Sequence, residues 1–239
     1  MRPAEYQRMY EVEETFWWYR GLRRIVLNLV RPHLPPRRPL EVLDAGCGTG
    51  GFLPEAARLG RVRGLDVSPA ALELARRRAA AELVAGGVEQ LPFAEDAFDL
   101  ILSMDVLYHR AVADDRAGLS EMTRCLRPGG ILVLNLPAYD WLRSRHDAAI
   151  HTARRYTRRR VAGLMRGLPL ETLRSTHWNS LLFPAAAVRR LVERRSAGAS
   201  DVQPLPPWLN RCLESVLRIE AGLVSRIDLP YGLSVAVVA

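Results

Sequence analysis

A short apolar segment runs directly into a glycine-rich turn at residues 40–52 (LEVLDAGCGTGGF), and this transition constrains the fold more than any other feature of the chain. Glycine tolerates the positive φ angles of a tight turn and leaves room for a ligand to approach the backbone. Residues 52–59, which follow the turn, are predicted to be helical. A strand that enters such a turn ahead of a helix is typical of α/β proteins.

Apolar and helical segments alternate beyond this turn, which predicts a doubly wound parallel sheet. Residues 139–166 are polar and arginine-rich and are also predicted to be helical; they lie in a segment, 137–168, that interrupts the sheet and is interpreted as a lid facing the substrate. The predicted strands are 40–45, 62–66, 98–103, 131–136, 170–177 and 231–238, and the predicted helices are 11–30, 52–59, 69–83, 117–126 and 205–225.

The composition excludes several classes of protein. The chain has 239 residues, 49% hydrophobic and 25% charged, as in ordinary soluble globular proteins. Its apolar runs are far shorter than the roughly 20 residues needed to span a bilayer, and residues 1–14 lack the apolar core of a signal peptide. Cys47, Cys125 and Cys212 are widely spaced, which favours reduced thiols in the cytoplasm over a metal site.

All 34 basic residues are arginines, and the net charge is +8. The absence of lysine excludes Schiff-base and P-loop chemistry. Arginine binds carboxylates and phosphates through two parallel hydrogen bonds, so the composition is compatible with an anionic substrate. The arginine run at 154–160 has three interpretations: a solvated face, contacts to an anionic small molecule, or contacts to nucleic acid. Nucleic acid is the least favoured, because no RNA-binding module accompanies the run.

Two acidic residues decide how the glycine turn is interpreted. Gly46, Gly48 and Gly51 fit the GxGxxG spacing of dinucleotide-binding proteins. Asp44, just before the turn, would repel a pyrophosphate but suits a ligand with an ammonium group. Asp66 ends the next predicted strand, where an acidic side chain binds ribose hydroxyls. The alternatives are a tight turn without a ligand and, for Asp66, a helix-capping role.

With the segment VEQLPFAEDAFDLILSMDVLYH (88–109), these residues resemble class I S-adenosylmethionine-dependent methyltransferases. The resemblance is to the bacterial type 11-like subgroup with an N-terminal WWY/F motif, and it extends to ETFWWYRGLRR (14–24), PAYDWLRSRHDAAIHTARRYT (137–157) and LPYGLSVAVV (229–238). Members of this subgroup are often associated with glycan and natural-product (secondary-metabolite) biosynthesis.

The resemblance implies a Rossmann-like doubly wound seven-stranded sheet with a helical lid insertion. It divides the chain into a helical cap over the cofactor pocket (1–39), a Rossmann-like cofactor-binding core (40–136), a lid or substrate-facing insertion (137–168) and the C-terminal part of the sheet with its helices (169–239).

The resemblance also implies which residues bind the cofactor. Asp66 would hold the ribose hydroxyls, with Val67 against the adenine. Many relatives have Asp at the position of Gly87, and a glycine there cannot accept a hydrogen bond from the adenine amino group. Trp18 either anchors the first helix or closes the pocket. The expected cofactor-binding residues are Trp18, Arg23, Asp44, Gly46, Cys47, Gly48, Gly50, Asp66, Val67, Val88, Glu89, Ser103, Met104 and His109.

The candidate catalytic residues lie in the predicted lid. Asp147, His151 and Arg155 are four residues apart, so a helix would place them on one face and let Asp147 orient His151 as a base. The alternative is a solvated helix face carrying an ion pair. His146 is a second candidate base, and His109 is either a base or part of the pocket wall. The expected substrate-binding residues are Tyr139, Arg155 and Tyr156.

The sequence therefore predicts methyl transfer from S-adenosylmethionine to an oxygen or nitrogen of a small-molecule acceptor, including secondary metabolites and sugar-linked molecules. S-adenosylhomocysteine would be the second product. Two other hypotheses stay open: a natural-product cyclase or rearrangement enzyme that binds the same cofactor without transferring its methyl group, and an RNA methyltransferase.

Overall fold

The computed structural model describes residues 3–36, 39–78, 80–144, 147, 151–193 and 205–239. Short 3₁₀ turns follow α2 at Arg31–His33 and β5 at Asp140–Leu142. The elements in chain order are α1 (Pro3–Val12), α2 (Trp17–Val30), β1 (Leu40–Ala45), α3 (Leu53–Ala57), β2 (Gly60–Asp66), α4 (Pro69–Ala75), β3 (Glu82–Ala85), β4 (Phe98–Met104), α5 (Asp115–Cys125), β5 (Leu126–Pro137), α6 (Arg158–Met165), β6 (Arg174–Trp178), α7 (Phe183–Glu193), α8 (Pro207–Val224) and β7 (Ser234–Val238).

The described strands form one seven-stranded sheet in the order β3-β2-β1-β4-β5-β7-β6. Neighbours from β3 to β5 pair in parallel, whereas β7 pairs antiparallel to both β5 and β6. Strands β1 to β6 therefore all direct their carboxyl ends to one edge of the sheet. Open α/β sheets bind ligands at this edge. The predicted doubly wound seven-stranded sheet is confirmed, but it is mixed and not wholly parallel, because β7 runs antiparallel to its neighbours.

Apolar side chains alternate between the two faces of the sheet, as the twofold period of a strand requires. In β5, Ile131 and Val133 belong to the core packed under α2 and α8, and Leu132 and Leu134 belong to the core on the α5 and α6 side. A register shift between Phe98 and Leu100 interrupts the β4–β5 pairing.

Helices α2 and α8 pack closely on one face of the sheet. A Cβ atom at Gly21 would lie only 2.2 Å from Cδ1 of Leu217, so this glycine permits the close approach of the two helices. The Asn28 carboxamide donates to the Ala221 carbonyl across the same contact (3.2 Å). The N-terminal part of α2 is thereby fixed above the ligand-binding edge.

Two predicted helices are shorter than expected. The helix predicted for 11–30 is interrupted at 13–16 and is preceded by α1, which the apolar spacing did not indicate. The helix predicted for 69–83 ends at Ala75, and part of its predicted range belongs to the edge strand β3. Pairing with β2 defines β3, and such a long-range contact leaves little trace in the local sequence.

A single continuous helix over 139–166 is wrong. The described part of this segment contains a 3₁₀ turn at Asp140–Leu142, helical backbone at Asp147 and, from Arg158, the short helix α6. The Thr157 side chain caps α6 by accepting from the Arg160 N–H (3.1 Å). His151 has φ +57°, which does not fit a helix. Helix α7 was not predicted. Among the described residues, none of the helices combines the length and apolar character that crossing a membrane requires.

Candidate active site

A cavity of about 710 Å³ lies at the carboxyl edge of the sheet. One half is lined by the glycine turn, the ends of β1, β2 and β4, and residues of α1 and α2. The other half is lined by the segment after β5, the end of β6, and residues of α7 and α8. The cavity therefore joins the predicted cofactor site to a second region.

The turn after β1 holds its backbone against the cavity. Gly46 has φ +90°, and a Cβ atom there would lie 2.3 Å from the Val106 side chain. The Gly46 and Cys47 N–H groups both donate to the Leu65 carbonyl of β2 (2.7 and 2.9 Å). Glycine is thus required at position 46 by both its backbone conformation and its packing.

Glu13, between α1 and α2, inserts over this turn. A Cβ atom at Gly51 would lie 2.0 Å from Cδ of Glu13, so the carboxylate occupies the place of a missing side chain. The Thr49 hydroxyl donates to this carboxylate, and Arg78 approaches it to 3.5 Å. Burial raises the pKa of Glu13, while Thr49 and Arg78 oppose that rise. Sequence reasoning missed Glu13, because one glutamate among several near a helix end gives no distinctive signal.

Asp66 fixes the turns after β1 and β2 to one another. One carboxylate oxygen accepts from the Gly48 N–H (2.9 Å) and the other from the Ser68 N–H (2.8 Å). Burial raises the pKa of Asp66 in spite of these hydrogen bonds. Each carboxylate oxygen has a second lone pair, so Asp66 can still accept hydrogen bonds from two hydroxyls.

Asp44 and Asp105 are two further carboxylates in the same half of the cavity. Burial, together with the charges of Glu13 and Asp66, raises the pKa of Asp44 to about 7. Burial also raises the pKa of Asp105 to about 7, although a hydrogen bond from Asn135 opposes that rise. A cation bound between these carboxylates would favour their ionised forms.

Asp105 is oriented by a buried chain of hydrogen bonds. Asn135 donates from Nδ2 to the Asp105 carboxylate (2.8 Å) and accepts at Oδ1 from the Trp178 indole (2.6 Å). The Trp178 ring contacts the ring of Trp18, with 5.7 Å between centroids. Trp18 therefore both packs on the core and lines the cavity, as the two interpretations of the WWY motif allowed.

Val88 and Glu89, two of the expected cofactor-binding residues, also lie in the cavity wall. The Glu89 carboxylate accepts from the backbone N–H groups of Ala113 (3.2 Å) and Asp114 (2.8 Å), so it secures the loop before α5. At Gly87, no atom lies within 4 Å of an added Cβ. A side chain at Gly87 would therefore meet open space.

Arg23, a candidate for binding the carboxylate of the cofactor, already makes several contacts. Its guanidinium donates to the carbonyls of Glu13 (3.0 Å) and Gly51 (3.4 Å) and lies 3.2 Å from the Glu55 carboxylate. These contacts hold α2 against the glycine turn. Arg20 and Arg24, which flank Arg23 on α2, both approach Glu214 of α8.

The structure brings most of the expected cofactor-binding residues into one wall. Gly50 and Ser103 are not part of that wall; Ser103 lies within β4 and is 1% exposed. The expected residues that do line the cavity are Trp18, Arg23, Asp44, Gly46, Cys47, Gly48, Asp66, Val67, Val88, Glu89, Met104 and His109.

Asp147 has helical backbone and contacts Arg155, whose backbone is not helical, so the two side chains do not share one helix face. The Arg155 guanidinium donates from Nε and Nη2 to the two Asp147 oxygens (2.8 and 3.1 Å), and both residues line the cavity. Asp147 also accepts from the Ser144 N–H (2.7 Å). The helical arrangement in which Asp147 orients His151 is therefore wrong. His146 lies outside the described residues, and the role of either histidine as a base stays a prediction.

His109 is in the cavity wall, and its ring contacts that of His151 with 5.8 Å between centroids. His109 Nδ1 accepts from the Ala111 N–H (3.1 Å), which assigns the proton of the neutral ring to Nε2. Burial lowers the pKa of His109 to about 4, and the nearby charges of His151 and Arg110 act in the same direction. His109 is thus neutral at pH 7 and presents a donor at Nε2.

Two expected substrate-binding residues lie elsewhere. Tyr156 is fully buried, with its hydroxyl within hydrogen-bond distance of the Leu107 carbonyl (3.1 Å) and the Asp115 carboxylate (3.0 Å). The Tyr139 ring stacks on His177, with 5.2 Å between centroids. Both rings pack within the structure rather than in the described cavity wall.

Residues 43–134 match the methyltransferase domain family model Methyltransf_11. The chain is 38% identical over 114 residues to malonyl-[acyl-carrier protein] O-methyltransferase of Serratia marcescens, covering 45% of this chain and 42% of that protein. It is 41% identical over 122 residues to tRNA U34 carboxymethyltransferase of Shewanella loihica, covering 46% and 36%. The chain thus spans less than half the length of these curated relatives.

A solved methyltransferase from Haloferax volcanii, in complex with the Trm112 methyltransferase activator, has the same fold. It is 20% identical, with a TM-score of 0.65, covering 98% of this chain and 93% of that chain. Residues 43–134 therefore carry the methyltransferase domain that this family model describes, within a chain that has the fold of the solved methyltransferase.

Proposed function

We propose that the chain transfers a methyl group from S-adenosylmethionine to an oxygen or nitrogen atom of a small-molecule acceptor. One observation carries this proposal: the carboxylate-lined half of the cavity is continuous with a half lined by α7 and α8. Donor and acceptor can therefore meet inside the protein. A secondary-metabolite or sugar-linked acceptor, which derives from the family resemblance, and a cytoplasmic location, which the widely spaced cysteines favour, belong to the same proposal.

The residues of the first half fit the cofactor. Gly46 forms the tight turn beside the cavity with a φ of +90°, and Asp66 retains acceptor capacity for two ribose hydroxyls. Asp44 and Asp105 suit the ammonium and sulfonium charges, because a nearby cation favours the ionised forms that burial disfavours. When bound, S-adenosylmethionine supplies an electrophilic methyl group on a positively charged sulfur.

The chain contributes chiefly alignment to the reaction. Methyl transfer is an in-line displacement, which depends on holding the two reacting atoms close together. The Asp147–Arg155 ion pair forms a fixed wall beside the site, and His109 Nε2–H can donate a hydrogen bond to an acceptor oxygen. A general base is required only when the acceptor must lose a proton.

The arginine run at 154–160 makes mostly internal contacts, which supports a small acceptor over RNA. Arg154 approaches Asp115 (3.5 Å), Arg155 binds Asp147, and Arg158 donates to the Ser175 hydroxyl (3.2 Å). Guanidinium groups engaged in this way are poorly placed to bind successive phosphates of a nucleic acid backbone.

Titration calorimetry with S-adenosylhomocysteine tests the cofactor part of the proposal. We expect saturable binding that excess NAD does not displace; failure to bind, or tighter binding of NAD, would contradict it. For the transfer step, methyl-labelled S-adenosylmethionine is incubated with panels of small alcohols, amines and glycosides, and with tRNA. Release of S-adenosylhomocysteine in equal amount to a labelled small molecule supports the proposal. Label in tRNA, or product without S-adenosylhomocysteine, favours one of the other two hypotheses.

A further inference from the structure

Asn179 directly follows β6 and lines the cavity, but its carboxamide oxygen has no hydrogen-bond partner in the described part of the chain. The residue is 1% exposed and has φ +58°. Asparagine tolerates this left-handed conformation, which accounts for the backbone. The conformation does not account for the buried oxygen, because such groups are normally hydrogen-bonded.

The strand order places Asn179 away from the cofactor half. Asp105 follows β4, and three strand spacings separate β4 from β6 through β5 and β7. At about 4.8 Å per spacing, Asn179 lies about 14 Å along the sheet edge from Asp105. Ser234, which pairs opposite Trp178 at the start of β7, lines the cavity beside it.

The walls around this end of the cavity are largely apolar. Leu182 precedes α7, Leu209 and Leu213 belong to α8, and Leu233 precedes β7. Arg189 and Arg190 of α7 also line the cavity, and Arg190 donates to the Leu142 carbonyl (3.3 Å). Ligand sites commonly combine apolar walls with a small number of placed polar groups that fix orientation.

We propose that Asn179 determines acceptor specificity by accepting a hydrogen bond from an O–H or N–H group on an otherwise apolar part of the acceptor. This donor lies about 14 Å along the sheet edge from Asp105, the nearest of the cofactor carboxylates in the strand order, and is distinct from the atom that is methylated. The carboxamide torsion is soft, so Oδ1 can turn into the cavity when the donor arrives. The inference rests on the proposed function, because it places the acceptor in the half of the cavity beyond the cofactor.

Competition binding tests this role with two isomeric probes, octanol and methyl heptyl ether. Both have one oxygen and the same number of carbons, but only the alcohol can donate a hydrogen bond. Each displaces the fluorescent dye anilinonaphthalene sulfonate from protein saturated with S-adenosylhomocysteine. We expect octanol to act at an about tenfold lower concentration than the ether, the usual effect of one buried hydrogen bond.

Asn179→Gly tolerates the positive φ of this position. In this variant, the two probes should displace the dye at about the same concentration, so that the ratio of their displacing concentrations falls to about one. Asn28→Ala is the matched control, because it removes a carboxamide at the α2–α8 contact outside the described cavity wall, and its ratio should equal that of the wild type. Asn179→Asp keeps acceptor oxygens and should keep the preference for the alcohol, which serves as a second test if the glycine variant does not fold.

Equal displacement by both probes in the wild-type protein overturns the inference, as does an unchanged ratio in Asn179→Gly or a lost preference in Asn179→Asp. The affinity for S-adenosylhomocysteine is measured separately for every variant. Tight binding of S-adenosylhomocysteine without alcohol preference contradicts only the role of Asn179. Loss of S-adenosylhomocysteine binding in the wild-type protein contradicts the proposed function itself.

Discussion

The Asp147 carboxylate and the Arg155 guanidinium form a buried ion pair joined by two hydrogen bonds of 2.8 and 3.1 Å. Asp147 is 2% exposed and Arg155 is 3% exposed. The remaining guanidinium nitrogen, Nη1, donates to the Ala138 carbonyl just after β5 (2.8 Å). This pair therefore fixes the segment after β5 against the sheet and forms a rigid part of the cavity wall.

Asp147→Ala should destabilise the protein by about 3–5 kcal/mol, because it leaves the Arg155 charge buried without a partner. The double variant Asp147→Ala with Arg155→Met should be less destabilised than the sum of the two single variants. Urea denaturation followed by circular dichroism measures both effects. Additive losses in the double variant would show that the two side chains do not stabilise one another.

The same pair should contribute to acid sensitivity. Burial would raise the pKa of Asp147, but the hydrogen bonds and charge of Arg155 lower it below its ordinary value of 3.8. An acid with a lowered folded-state pKa adds stability above its unfolded pKa and loses it as the pH falls through the folded value. Urea titrations below pH 4 should therefore show a loss of stability that Asp147→Ala does not share.

Asp66→Ala should weaken the binding of S-adenosylhomocysteine tenfold or more. The variant removes a charged acceptor for the ribose hydroxyls, an interaction of about 1.5–3 kcal/mol. Titration calorimetry measures the change. Asp228→Ala is the control, because it removes a carboxylate that pairs with Arg174 outside the described cavity wall. Unchanged affinity in Asp66→Ala would refute the ribose-binding role.

Cofactor affinity should rise with pH between about 6 and 8. Asp44 and Asp105 both have a pKa near 7, so below that pH they are mainly protonated in the absence of ligand. A bound cation favours the ionised carboxylates, so binding releases protons and becomes tighter as the pH increases. Calorimetry in buffers of different ionisation enthalpy counts the released protons.

Asp44→Asn should reduce both the number of protons released and the slope of affinity against pH. Asp228→Ala again serves as the comparison and should keep the wild-type slope. An affinity that does not change between pH 6 and 8 would mean that neither carboxylate faces the charged part of the cofactor.

Gly87→Asp should increase cofactor affinity by about twofold to tenfold, the effect of one additional hydrogen bond. An added Cβ at Gly87 meets no atom within 4 Å, and the family resemblance places an adenine-binding aspartate at this position. Gly163→Asp is a matched control, because Gly163 lies in α6 with equally open space. Equal affinities of Gly87→Asp and wild type in calorimetry would place the adenine elsewhere.

Gly51→Ala should lower both the melting temperature and cofactor affinity, because the new methyl group would occupy the position of the Glu13 carboxyl group. Displacing Glu13 leaves the Thr49 hydroxyl without its carboxylate partner and removes one of the two carboxylates that Arg78 contacts, the other being Glu14. Scanning fluorimetry and calorimetry measure the two effects. Gly222→Ala on α8 meets open space and should leave cofactor affinity unchanged. If Gly51→Ala changed the melting temperature and the cofactor affinity as little as Gly222→Ala does, the packing of Glu13 against the turn would be contradicted.

Local sequence determined the parts of the fold that depend on residues close together in the chain. The strand at Leu40–Ala45 and its glycine turn were predicted because glycine at a positive φ and a continuous apolar run leave a direct trace in the sequence. Asp44 and Asp66 were located in the same way, at the ends of neighbouring parallel strands. The prediction failed over 139–166, because a fourfold spacing of polar residues also occurs in irregular segments.

Tertiary structure alone decided which distant side chains meet. The insertion of Glu13 over Gly51, the orientation of Asp105 by Asn135 and Trp178, and the position of Asn179 all join residues far apart in sequence. These contacts depend on the order in which strands assemble in the sheet. That order is set by long-range packing of both faces, which no local pattern of residues encodes.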